Sequence, residues 1–149
     1  MMSKRHEKIR HILRQCGLDA VLLVHPPNIR YLCGFSGTDG MLVISAEKDA
    51  WLLVDSRYTL QAQEEVQNAV VEECRGLEES VVRLLKREGV RRAGFEAEYM
   101  VVSRLAKLET GDIEWVALKN ELRALRGIKT PAEIEYIRKA ARINAGAFA

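Results

Sequence analysis

The chain has little that could staple it together or anchor it. Its three cysteines, Cys16, Cys33 and Cys74, are odd in number, widely spaced and free of any CxxC pair. That usage favours reduced, buried thiols in the cytoplasm over a disulfide framework. No apolar run approaches the roughly 20 residues that a membrane helix needs. The start, Met1 to Lys8, leads into an amphipathic helix, not an apolar signal core, so no membrane partner is expected. Charge of one sign is also scarce. Twenty-three basic residues against 21 acidic ones leave a net charge of +2, which gives no field for nucleic acid. There is no internal repeat and no low-complexity stretch. After His25 there is no histidine, and after Asp112 no aspartate. What remains is 149 residues, 48% hydrophobic and 30% charged, the size of one domain that can bury a core.

Ile9, Ile12, Leu13 and Cys16 form a helical stripe, closed by Gly17 and followed by a buried strand over residues 20–24. His25-Pro26-Pro27 ends that strand, because two prolines cannot serve a central ladder. Residues 28–33 read as one short helical turn before Gly34. Gly37-Thr38-Asp39-Gly40 reads as a turn. Residues 41–44 and 51–54 pair as a hairpin through 46–49, and a polar helix extends to about Gln67. Val70 and Val71 suggest a strand. Leu77, Val81, Leu84 and Leu85 give a second helical stripe, closed by Gly89. A strand at 92–95, a helix at 101–108 and a strand at 113–116 follow. Helix, glycine and strand therefore occur in that order twice. The expectation is an α/β domain with a mixed, mostly central β-sheet of about five to six strands, flanked by helices.

Residues 117–129 read as a linker helix and connection. Thr130-Pro131-Ala132-Glu133 is then a strong helix start: Thr130 caps, Pro131 occupies the first helical position and Glu133 closes a capping box. Ile134, Ile137, Ala141 and Phe148 share one stripe of that helix and call for a partner. No stop signal precedes Ala149. The expectation is one domain over 1–125, with 126–149 as a linker and the first helix of a truncated second domain. The alternative is a genuine terminus that packs back on the domain or on a second copy.

His6 and His11 lie five apart on the first helix, whereas metal ligands on one helical face prefer a spacing of four. Both are expected on the surface. Lys4, Arg5, Lys8, Arg10 and Arg14 are expected to form its solvated face. His25 ends a strand, where loops often carry function. Tyr31 and Phe35 are expected to pack in the core as large aromatics do. Asp55 and Arg57 are expected to pair and to cap a helix over 57–67, with Tyr58 packing beside them. A second role for Arg57 is recognition of a peptide carboxylate.

Three segments carry a resemblance. Asn28-Ile29-Arg30-Tyr31-Leu32-Cys33-Gly34-Phe35-Ser36-Gly37 resembles the N-x-x-Y-L-x-G-F-x-G segment of the creatinase/prolidase N-terminal domain. Asp55-Ser56-Arg57-Tyr58-Thr59-Leu60-Gln61-Ala62 resembles its D-x-R-Y-x-x-Q-A segment. Residues 126–140, from Arg126-Gly127-Ile128-Lys129-Thr130-Pro131, resemble the junction into the catalytic pita-bread domain. The three fall in the family's order and span most of the chain.

The resemblance implies a non-catalytic domain ahead of the catalytic unit of a cytoplasmic proline dipeptidase or Xaa-Pro aminopeptidase. It implies homo-oligomers, short proline-containing peptides as substrates, and two divalent metal ions (manganese, zinc or cobalt) held downstream by two Asp, one His and two Glu. No metal ligand and no catalytic residue is expected within this chain, which should be inactive alone. In such enzymes the N-terminal domain of one subunit can wall off a neighbour's substrate pocket. That implies a substrate-access tip at Phe35, Ser36, Gly37 and Thr38, with His25, Tyr31 and Arg57 as further candidates. Two alternatives stay open: a homologue that has lost its metal ligands and binds peptides or proteins, and a creatinase, which uses no metal.

Overall fold

The computed structural model describes residues 4–148. The elements run α1 (Lys4–Gln15), β1 (Ala20–Leu23), α2 (Pro26–Cys33), β2 (Met41–Ser45), β3 (Ala50–Val54), α3 (Thr59–Glu65), β4 (Val70–Glu73), α4 (Leu77–Arg87), β5 (Arg92–Glu96), α5 (Val102–Leu108), β6 (Glu114–Leu118), α6 (Asn120–Gly127) and α7 (Pro131–Ala147). The strands form one mixed sheet in the order β4-β3-β2-β1-β5-β6. β2 is antiparallel to both neighbours, with Leu22 opposite Val43 and Val43 opposite Trp51. The β1–β5, β3–β4 and β5–β6 pairs are parallel. Every strand except β2 therefore runs one way.

Strand residues alternate between two cores, as the period of two requires. Val21, Leu23, Leu42, Leu52 and Val54 face one cluster, which takes Ile9 and Leu13 from α1, Ile29 and Leu32 from α2, Ala62 from α3 and Leu122 and Leu125 from α6. Ala20, Leu22, Val43 and Leu53 face the other, filled by Val81, Leu84 and Leu85 of α4 and Leu108 of α5. Four helices thus cover one face and two cover the other. The central strands β1, β2 and β3 are buried on both faces, so they read as continuous apolar runs. α4 carries Glu78 and Glu79 in its first turn and Lys86 and Arg87 in its last, matching the helix dipole.

The helix expected within 117–129 is α6, and it packs on the domain, with Leu122 and Leu125 buried in the core beside α1. Two sequence expectations are corrected here. His6 is not on the surface: it is buried, with Nε2 3.0 Å from the Leu32 carbonyl oxygen. Arg10 is buried too, and its guanidinium donates to the carbonyls of Ser45 and Lys48, which close the β2–β3 turn. Both polar groups are tolerated inside because backbone carbonyls satisfy them. His11 is exposed, as expected.

α7 starts with the full capping box. Thr130 Oγ1 accepts from the Glu133 N–H, and the Glu133 carboxylate accepts from the Thr130 N–H. An N-cap of this type contributes about 1 kcal/mol. None of the described α7 side chains is buried. Ile134, Ile137 and Phe148 are 39%, 53% and 87% exposed, so the described residues leave the stripe uncovered. Arg5 ties α7 to the domain, with its Nη2 2.9 Å from Glu133 Oε1.

Candidate functional site

Because every strand but β2 runs the same way, five connections gather at one end of the sheet. They follow β1, β3, β4, β5 and β6, and the one after β1 runs on into β2. Ligands in open α/β sheets bind outside the carboxyl ends of parallel strands. His25, Thr38, Asp39, Asp55, Arg57 and Tyr58 all belong to these connections.

The loop entering β2 is built from below. α2 ends at Gly34, whose φ of 87° is left-handed and whose missing Cβ lets the chain pass the Glu65 carbonyl; a Cβ there would sit 2.9 Å from that oxygen. Phe35 then turns inward and is 1% exposed. Its ring lies under Gly37, leaving no room for a Cβ, and edge-on to Tyr58 with centroids 5.8 Å apart. Phe35 is therefore the loop's support and does not face solvent, which corrects its place among the access residues.

The residues above Phe35 are each tied to the scaffold. The Ser36 N–H and hydroxyl donate to Glu65 at 2.7 and 2.8 Å, and Gln61 Nε2 donates to the Ser36 hydroxyl. Those donors, the Ser36 N–H foremost, hold the Glu65 carboxyl below its usual range. The Thr38 hydroxyl lies 2.7 Å from the Tyr58 hydroxyl. Asp39 sits between two guanidinium groups, Arg57 at 3.4 Å and Arg104 at 3.3 Å, and Arg104 also reaches Glu78. Arg57 grips Asp55 at 2.6 Å, and that hydrogen bond holds the Asp55 carboxyl below its usual range. Asp55 Oδ1 also accepts the Arg57 N–H. It shapes the turn 55–58 and does not cap α3, which starts later, at Thr59, without a side-chain cap. Ser36, Thr38 and Arg57 remain exposed. The result is a polar tip on a fixed base.

Tyr31 lies elsewhere. It is half-buried between α2 and α1, with the Arg5 guanidinium 4.2 Å above its ring and Arg5 Nη1 donating to its carbonyl at 2.7 Å. The structure thus joins Tyr31 to Glu133 through Arg5 and separates it from the tip. His25 is half-buried, and its ring stacks on Tyr99 at 3.6 Å, nearly parallel.

One functional group escaped the sequence reading. Glu96, at the end of β5, is 2% exposed. Its carboxylate accepts the N–H groups of Val24 and His25 at 2.6 and 2.7 Å and Asn28 Nδ2 at 2.6 Å. Asn28 Oδ1 in turn accepts from Arg126 Nη1 at 3.0 Å. An acidic residue closing the apolar run 93–95 was the available signal. Its partners lie some 70 positions away, so nothing local revealed them.

Among the described residues, no group of three or more His, Cys, Asp or Glu is placed to hold a metal ion. The residues present do not fit a dinuclear metal centre, and no metal-dependent step is derived from this chain. No described helix is long and apolar enough to cross a membrane.

The family described as Creatinase/Prolidase N-terminal domain matches residues 5–128. An uncharacterized peptidase, YqhT, of Bacillus subtilis is 34% identical over 145 residues, covering 95% of this chain and 41% of that protein. An Xaa-Pro dipeptidase from Bacillus anthracis superposes with a TM-score of 0.91 at 28% identity, over 97% of this chain and 41% of that one. The N-terminal domain of the cytoplasmic peptidase PepQ from Mycobacterium tuberculosis H37Rv superposes with a TM-score of 0.75 at 32% identity, over 81% of this chain and 97% of that one. The chain spans about two-fifths of the length of the curated relatives it matches (41% and 40%). With its mixed six-stranded sheet and its match over residues 5–128, the chain belongs to the creatinase/prolidase N-terminal domain family.

Proposed function

We propose that this chain is the N-terminal, non-catalytic unit of a cytoplasmic, metal-dependent Xaa-Pro peptidase, a proline dipeptidase or an Xaa-Pro aminopeptidase. Its two divalent metal ions (manganese, zinc or cobalt) belong to a downstream catalytic unit beginning near residue 126. The unit supports a homo-oligomer and shapes access of short proline-containing peptides to a catalytic pocket. The observation that carries this reading is the loop 36–39. Its exposed tip residues are each bonded to rigid elements over the buried Phe35 ring. A loop held this way keeps its shape against a substrate, and functional side chains fall disproportionately on loops positioned by a rigid scaffold. Family membership supplies the reaction class. Arg57 and Thr38 are the side chains best placed to meet a peptide, and His25 lines the same end of the sheet.

The test is deletion of residues 1–125 from the intact polypeptide. Broadened peptide length or a dissociated oligomer is expected. Unchanged length preference and unchanged oligomer size would overturn the proposal.

A further inference from the structure

A cleft of about 270 Å³ opens at the same end of the sheet, between the ends of β5 and β6 and the length of α6. Pockets for drug-sized ligands start near 300 Å³, so this one suits a molecule no larger than a dipeptide. Its floor is the buried Glu96–Asn28 pair. The Glu96 carboxylate only accepts, which forces the Asn28 amide to turn its NH₂ toward Glu96 and its oxygen toward Arg126. The Arg126 guanidinium is thereby held by a group that is itself fixed. It uses one of its five N–H donors on Asn28 and keeps the rest for a ligand. At the head of α6, the Lys119 ammonium has no partner among the described residues. Arg123 meets Glu98 at 3.3 Å across the rim. Lysine and arginine supply four of the lining side chains and glutamate two, so the lining is net positive. The Tyr99 ring, stacked on His25, forms an apolar wall.

We propose that this cleft binds a small carboxylate, a free amino acid or a dipeptide. The Arg126 fork takes the carboxylate and Lys119 adds a second charge. Guanidinium geometry matches a carboxylate bidentately, and preorganisation by Asn28 removes part of the ordering cost of binding. The choice of amino acids and dipeptides rests on the peptidase reading above; the carboxylate chemistry does not.

The test is titration of the 149-residue chain, ¹⁵N-labelled, with proline, with Gly-Pro and with inorganic phosphate, following backbone amide shifts. Saturable shifts confined to residues 96–99 and 118–127 are expected with at least one of the two carboxylates. Arg126→Ala should weaken that binding at least tenfold and Lys119→Ala severalfold, and added salt should weaken it further. Both side chains are exposed, so the variants should keep the wild-type amide spectrum. Should Arg126→Ala fail to fold, Arg126→Lys, which keeps the charge and loses the fork, carries the same prediction. No saturable shift with either carboxylate, unchanged affinity in the Arg126 variant, or phosphate binding as tightly as both carboxylates would overturn the proposal. No turnover is measured, so a failure here is distinct from a failure of the peptidase reading.

Discussion

Asn28 and Glu96 stand 68 positions apart in sequence and 2.6 Å apart in space. The bond closes the N-terminus of α2 onto the end of β5 and orients the amide that holds Arg126. Asn28→Ala removes one donor from a buried carboxylate. Hydrogen bonds to charged groups are worth about 1.5–3 kcal/mol, and a loss in that range is expected in urea unfolding. A loss below about 0.5 kcal/mol, the scale of an ordinary surface substitution, would contradict this role.

Phe35 and Gly37 form a second such pair. Gly37→Ala places a methyl group where the Phe35 ring lies, so a destabilisation of about 1–3 kcal/mol is expected from overpacking. Phe35→Leu vacates part of that space and leaves a void with its own penalty. In that background Gly37→Ala should do less harm. A double-mutant cycle measures the coupling. Strict additivity of the two changes would show that the loop does not rest on the ring.

Stability should fall on mild acidification through His6. Burial pushes its pKa below the ordinary 6.5, and the Arg10 charge adds to that. The unfolded chain then binds the proton more readily than the folded one. The contribution is complete above pH 6.5 and is lost as pH falls through the lower folded value. The stabilised carboxylates, Glu47, Asp55, Glu65, Glu88 and Glu133, are held below ordinary values of 3.8 to 4.5, so their losses come at lower pH. His6→Asn should flatten the melting temperature between pH 6.5 and the carboxylate range. A wild-type slope that persists in the variant would exclude His6 as its source.

The thiols should differ in reactivity. Burial pushes the Cys33 thiol up to about 11 and removes it from solvent, whereas Cys16 and Cys74 are half-buried. Thiolate is the reactive form. Alkylation followed by mass spectrometry should label Cys33 only at the rate of global unfolding, with Cys16 and Cys74 labelled from the folded state. Labelling of native Cys33 at the rate of Cys16 would contradict its placement.

Much of this fold was legible in the sequence, and the failures share one cause. The stripes at Ile9 to Cys16 and Leu77 to Leu85 and the hairpin at 41–54 follow from local periodicity and turn residues, and they are present as expected. The Thr130–Glu133 capping box is likewise local. His6 and Arg10 looked like surface residues because polar side chains are normally solvated, and Glu96 drew no reading at all. Each is buried against partners at least 26 positions distant: Leu32, Ser45 and Val24. The helix within 117–129 was legible, but its packing was not, because two leucines make a weak stripe and only the α1 surface opposite gives Leu122 and Leu125 a core to join. The tip loop was found through its motif. Residue type alone put Phe35 in the core, where it lies, while the resemblance put it at the access tip; the lack of room for a side chain at Gly37 reflects the ring beneath.

The central claim is that this unit shapes an Xaa-Pro peptidase without performing its chemistry. The most direct test assays release of the free N-terminal amino acid from an Xaa-Pro dipeptide and from a longer Xaa-Pro peptide, with and without manganese. Both the isolated 149-residue chain and the intact polypeptide carrying it at its N-terminus would be assayed. The expected result is metal-dependent release by the intact polypeptide, a clear preference for one peptide length, and none by the isolated chain. Turnover by the isolated chain, or no release by the intact polypeptide under any metal, would contradict the account.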